Sequence, residues 1–154
     1  MEHNHIMPQA EVPLMLTRTG AQLPQYATPG SAAADLCAVL EAPLTLAPRE
    51  RAVIPTGVAI ALPHAGFVAL VFARSGLGIK HGITLSNGVG VIDSDYRGEI
   101  SVGLVNLSDA PYTIVHGERI AQLSIVPVVQ AKFLPVEALE DTVRGTGGLG
   151  STGR

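Results

Sequence analysis

The chain has 154 residues, 47% of them apolar and 4% aromatic with no Trp, and a formal net charge of −3. One domain of this length buries roughly 70% of its unfolded surface, here in a core built from Val, Ile, Leu and Ala. These values exclude a wholly disordered chain and, with no basic stripe in view, a protein that tracks a nucleic-acid backbone. From the start, Met1–Val12 reads as a loose polar tail without the basic-then-apolar order of a secretion signal. Strand-like runs bounded by Gly, Pro, Asn, Asp or Ser then recur. They are Leu14–Arg18, Asp35–Ala38, Leu44–Leu46, Arg51–Pro55, Val58–Leu62, Phe67–Phe72, Ile83–Ser86, Val89–Ile92, Ile100–Asn106, Tyr112–Val115, Arg119–Val126 and Ala131–Pro135. Helix is scarce, with one turn each at Ser75–Gly78 and Val136–Leu139. Phe67–Ala73, the longest apolar run, falls far short of the roughly 20 residues that span a bilayer. No membrane partner is expected, and a cytoplasmic location follows by default.

About a dozen short strands predict an all-β fold, a jelly-roll-like barrel or sandwich. The chain divides into a tail (1–12), a β domain (13–143) and a C-terminal stretch (144–154) that is nearly half glycine. That stretch is either a dead tail or an arm that orders on a ligand.

Five short segments carry chemistry. Asp35, an acid among apolar residues, is either a paired core charge or support for a metal ion. Cys37 is alone, which excludes an intrachain disulfide and leaves it as a small apolar residue. Arg74-Ser75-Gly76 sets a cation, a hydroxyl and open backbone N–H groups at the end of a buried strand, equipment for phosphate oxygens. The alternative is a plain turn in which Ser75 caps the helix. Asn87 to Gly98 predicts a hairpin closed near Asp95 and Arg97, able to read a planar base edge through its backbone. Asp93 is a candidate base on water and Tyr96 a wall for a sugar; otherwise this is a surface hairpin with two turn-favouring aspartates. If alternation holds, Ile120 and Gln122 share a buried face, where Gln122 needs a partner such as an ordered water. His64, His81 and His116 lack metal-ligand spacing and read as surface residues.

Taken together, Ala32–Ala38, Arg74–Lys80, Asn87–Glu99, Gly117–Ser124 and Arg144–Gly153 resemble, in order, the five motifs of the homotrimeric dUTP diphosphatase (dUTPase) family. The resemblance implies a jelly roll in a three-fold trimer, active sites at subunit interfaces, and Mg²⁺-assisted hydrolysis of dUTP to dUMP and pyrophosphate. It implies that Asp93 orients the attacking water toward the α-phosphorus and that Gln122 helps to hold it. Arg74, Ser75 and Gly76 then grip the phosphates, with Ser75 at the bridging oxygen of the leaving group. Asn87 and the backbone of Val91 and Ile92 read uracil, and Tyr96 leaves no room for a 2′-hydroxyl. Asp35 holds a water on Mg²⁺, whose inner shell is phosphate and water. Arg144, Leu149 and Gly150 belong to an arm donated by another subunit. Leu149 departs from the family's usual Phe, Ala33 and Ala34 replace a common Gly and a bulkier residue, and Ser101 is a weaker substrate contact. Rival readings are a dCTP deaminase and a binding protein that keeps the fold without turnover.

Overall fold

A computed structural model describes residues 9–148. Its elements, in chain order, are β1 (Leu14–Leu16), β2 (Ala34–Cys37), β3 (Leu44–Leu46), β4 (Arg51–Ile60), β5 (Phe67–Ala73), α1 (Ser75–His81), β6 (Ile83–Leu85), β7 (Gly90–Ile92), β8 (Ile100–Asn106), β9 (Tyr112–Ile114) and β10 (Arg119–Pro127). They form two four-stranded antiparallel sheets, ordered β1-β4-β8-β6 and β2-β10-β5-β7, and a small β3-β9 pair. Ile100, Val102 and Leu104 alternate inward along β8, as a strand with one buried face requires. They meet Ala69 and Val71 of β5 and Ala121 and Leu123 of β10 in one core. The expected all-β jelly roll is the observed fold.

Four expectations need correction. The runs Arg51–Pro55 and Val58–Leu62 are one strand, β4, because a bulge absorbs the break at Pro55 and Gly57. Gly57 has φ +68, and a Cβ there would overlap Ala21, so glycine lets the strand turn its register without ending. Asn87–Gly98 does not form a hairpin: β7 pairs with β5 in one sheet, while the following β8 pairs with β4 and β6 in the other. Finally, Ala131–Pro135 is not a strand and Val136–Leu139 is not a helix. The backbone is last tied to the β sandwich where Val128 N–H donates to Gly66 O at 2.8 Å, among the described residues. Beyond that point Val129, Phe133, Leu139 and Val143 stand almost fully exposed. The segment makes no strand pairing with either sheet among the described residues, so its apolar pattern stays exposed.

Candidate functional site

Cross-strand register sets one wall of the site. Asp35 in β2 lies opposite Gln122 in β10, and Gln122 lies opposite Phe72 in β5. Residues directly opposite share a sheet face. A carboxylate, an amide and an aromatic ring therefore line up across three strands on the face away from the core. The register shift between Arg119 and Ala121 puts both Ile120 and Ala121 inside, so Ile120 and Gln122 do not share a buried face as alternation predicted. Gln122 Nε2 instead donates to Ala73 O at 3.0 Å at the edge of a cavity of about 460 Å³. Arg74, Ser75, Gly76 and Arg119 complete that cavity.

Asp35 organises the charges. One carboxylate oxygen accepts from Arg74 Nε at 2.9 Å and the other from Arg119 Nη1 at 3.0 Å. Arg74 Nη1 also donates to Arg119 O at 3.1 Å. Two guanidiniums against one carboxylate leave a net positive charge in the cavity, held rigidly on two strands. The turn leading to Arg119 is itself braced: the Tyr112 hydroxyl donates to Glu118, and Val115 N–H donates to the same carboxylate. Burial first, then the Glu118 hydrogen bond, push the Tyr112 hydroxyl up to about 12. Burial, followed by the charge of Asp35, likewise raises the half-buried Cys37 thiol.

Arg74, with extended backbone at φ −87 and ψ 130, occupies the capping position of α1 and offers no side-chain cap. Ser75 is thus the first helical residue rather than the cap. Its hydroxyl makes no protein hydrogen bond among the described residues, so hydroxyl and first-turn N–H groups both remain available to an anion.

A second group lies apart. Asn87 is in the exposed turn between β6 and β7, Val91 and Ile92 are in β7, and Asp93 and Tyr96 are on the loop into β8. Ile92 pairs with Ala69, whereas Arg74 follows the last residue of β5, five residues on, a separation of about 17 Å at strand rise. One chain therefore does not bring Asp93 to Arg74 and Ser75. Ser101 is exposed on β8, opposite Pro55 of β4 in the same sheet, and does not line the Arg74 cavity. Arg144 is exposed, its Nε donating to Gly147 O at 2.9 Å, and it does not line the Arg74 cavity. Leu149 and Gly150 lie outside the described residues.

The family model described as dUTPase matches residues 19–153. The chain belongs to the dUTPase family. The deoxyuridine 5′-triphosphate nucleotidohydrolase of Thiobacillus denitrificans is 56% identical over 144 residues, spanning 94% of this chain and 99% of that protein. Its namesake from Pseudomonas paraeruginosa is 55% identical over 135 residues, 88% of this chain and 89% of that protein. The dUTPase of Staphylococcus bacteriophage 80alpha, solved with dUPNHPP, superposes with a TM-score of 0.84 at 29% identity, covering 94% of this chain and 99% of that one. A mutant dUTPase of phage phi11 of S. aureus, whose structure details the coordination of a structural Mg(II) ion, has a TM-score of 0.76 at 26% identity and covers 85% and 99%.

Within this dUTPase fold, Arg119 and Phe72 are among the cavity residues that local motifs did not single out. Their signal is pairing register: each lies on a strand beside a residue already singled out, which no local motif reveals. Asp35→Ala tests the arrangement, because it leaves two adjacent guanidiniums without their shared acceptor. With Asp35 14% exposed but Arg119 54%, the expected loss in urea unfolding is about 1–3 kcal/mol, below the value for a fully buried pair. Unchanged stability would show that the arginines do not depend on Asp35.

Proposed function

We propose that this chain hydrolyses dUTP to dUMP and pyrophosphate, in a homotrimer whose sites combine residues of neighbouring subunits. The carrying observation is the Asp35-anchored pair of guanidiniums beside the unused Ser75 hydroxyl, a cradle for a polyphosphate with no counterpart at the Asp93–Tyr96 loop. The register separation of the two groups supports completion of one site by two copies. The exposed apolar side chains from Val129 to Val143 support a partner as well, since burying each contributes about 1.5–3 kcal/mol.

In this reading Arg74, Ser75 and Gly76 grip the triphosphate, with Arg119 reinforcing Arg74 through Asp35. Asn87 and the backbone of Val91 and Ile92 recognise uracil, and Tyr96 closes on the deoxyribose. Asp93, from a neighbouring copy, orients water and takes its proton as the oxygen bonds to the α-phosphorus. The bond from that phosphorus to the bridging oxygen breaks, and pyrophosphate leaves with the electron pair beside Ser75. Gln122 steadies the water. Positioning of this kind contributes roughly 7–11 kcal/mol to lowering the barrier. Arg144, Leu149 and Gly150 act in an arm that covers the nucleotide and excludes solvent. Ser101 is at most a peripheral contact.

No group of three or more His, Cys, Asp or Glu side chains is placed to hold a metal among the described residues. Mg²⁺ keeps several waters and pairs with substrate phosphates rather than being caged by protein side chains. Asp35 retains acceptor sites beyond its two arginine bonds and would receive a metal-bound water there. The ion's contribution is to neutralise charge on the triphosphate. The product dUMP feeds thymidylate synthesis, and removal of dUTP keeps uracil out of DNA. No helix among the described residues is long and apolar enough to cross a membrane, and a cytoplasmic site of action fits this substrate.

The deciding experiment is pyrophosphate release with magnesium from a panel of dUTP, UTP, dTTP and dCTP. Rapid turnover of dUTP alone is expected; an inert dUTP, or ammonia released from dCTP, overturns the reading. Leu149→Phe should restore a ring face over the base. Base stacking contributes about 1–3 kcal/mol, so a non-hydrolysable dUTP analogue should bind roughly tenfold tighter by titration calorimetry. Equal affinity would show that position 149 does not cover the base.

A further inference from the structure

The loop carrying Tyr96 is fastened to the opposite sheet through a single side chain. Tyr96 lies over Gly98, where any Cβ would collide with the ring, and its hydroxyl donates to Glu99 O at 3.1 Å. Arg97 ties the loop to itself, donating to Ser94 O and Tyr96 O. Among the described residues, every side-chain hydrogen bond from residues 93–99 to the rest of the chain passes through the Glu99 carboxylate. It accepts from Arg18 Nε at 2.7 and 2.9 Å and from Gly57 N–H at 2.8 Å.

The anchor is stiff. Gly57 lies at the β4 bulge, and its carbonyl accepts from Thr17 N–H at 2.8 Å, so the end of β1, the bulge and Glu99 form one closed unit. The Arg18 hydrogen bond, as the larger effect, holds the Glu99 carboxyl below its ordinary value, so it stays charged at neutral pH. Arg18 is half exposed, and an ion pair in that setting adds little to global stability. Its consequence lies in where it holds the loop.

We propose that Glu99 is a positioning residue which, clamped by Arg18 and Gly57 N–H, fixes the Tyr96 ring and thereby sets how strongly a ribose 2′-hydroxyl is excluded. This inference rests on the reading of Tyr96 as the wall against the sugar. A loosened Glu99 lets the ring retreat from Gly98 and admits the larger sugar, while the uracil and phosphate contacts remain.

The test compares kcat and KM for dUTP and UTP, with thermal unfolding, in the unmodified enzyme, Glu99→Ala, Glu99→Gln, Arg18→Ala and Arg18→Lys. The dUTP-over-UTP ratio of kcat/KM should fall on the order of tenfold in both alanine variants, chiefly through improved use of UTP. Glu99→Gln, which keeps an acceptor for Gly57 N–H, and Arg18→Lys, which keeps the charge, should recover most of the ratio. Should Glu99→Ala not fold, the exposed Arg18 pair carries the comparison alone. An unchanged ratio, or dUTP and UTP rates falling together with the melting temperature, overturns the proposal and leaves the functional reading intact. An unmodified enzyme that leaves dUTP uncleaved overturns the functional reading itself.

Discussion

Asp93→Asn abolishes most turnover while nucleotide binding survives. The loop geometry is the reason for expecting so clean a separation. Tyr96 N–H donates to the Asp93 main-chain carbonyl at 3.1 Å, so the turn is closed by backbone. The Asp93 side chain is exposed and makes no hydrogen bond to protein among the described residues, which leaves nothing structural for the substitution to break. An amide has nearly the same shape but does not accept a proton from water. Loss of a positioned base costs on the order of 10²–10⁴-fold in rate. Pyrophosphate release measures the loss, and calorimetry with a non-hydrolysable dUTP analogue measures the retained binding. A variant that hydrolyses dUTP at the original rate would remove Asp93 from its role.

The pieces of this molecule that depend on local chemistry are readable from the chain itself. Turn residues and short apolar runs mark nearly every strand, and Arg74-Ser75-Gly76 marks one corner of the cavity because its three residue types act within a few ångströms of one another. What depends on distant partners is hidden. The residues from Asn87 to Gly98 advertise a reversal of direction, but turn chemistry does not say which sheet each flanking strand enters. β7 joins β5 and β8 joins β4, a choice made by packing across the sandwich. Arg119 meets Asp35 across 84 residues, through the pairing of β10 with β2. Ala131–Pro135 fails in the opposite sense: its pattern suits a strand, yet the segment pairs with neither sheet, because local composition does not supply a partner.

That same incompleteness gives the second large effect. If Asp93 of one copy serves the Arg74 cavity of another, two crippled chains should repair each other. Arg74→Ala removes a phosphate ligand and, by analogy with loss of one stabilising donor, costs about 10²–10³-fold. Asp93→Asn is similarly inactive. Refolded together in equal amounts, the two variants assort at random. Each site then draws an intact Asp93 with even odds and an intact Arg74 with even odds from a different subunit, so about a quarter of the sites are whole. Activity of the mixture should rise to that level, orders of magnitude above either variant alone, and follow the mixing ratio with a maximum at equality. A site built within one chain predicts no rescue, because every polypeptide carries one lesion. Native mass spectrometry of the refolded mixture, resolving mixed oligomers of the two variants, ensures that a flat response reflects the geometry of the site rather than a failure to exchange subunits. Rescue would assign the missing 17 Å or so of strand rise between Ile92's partner and Arg74 to the gap that a second copy closes.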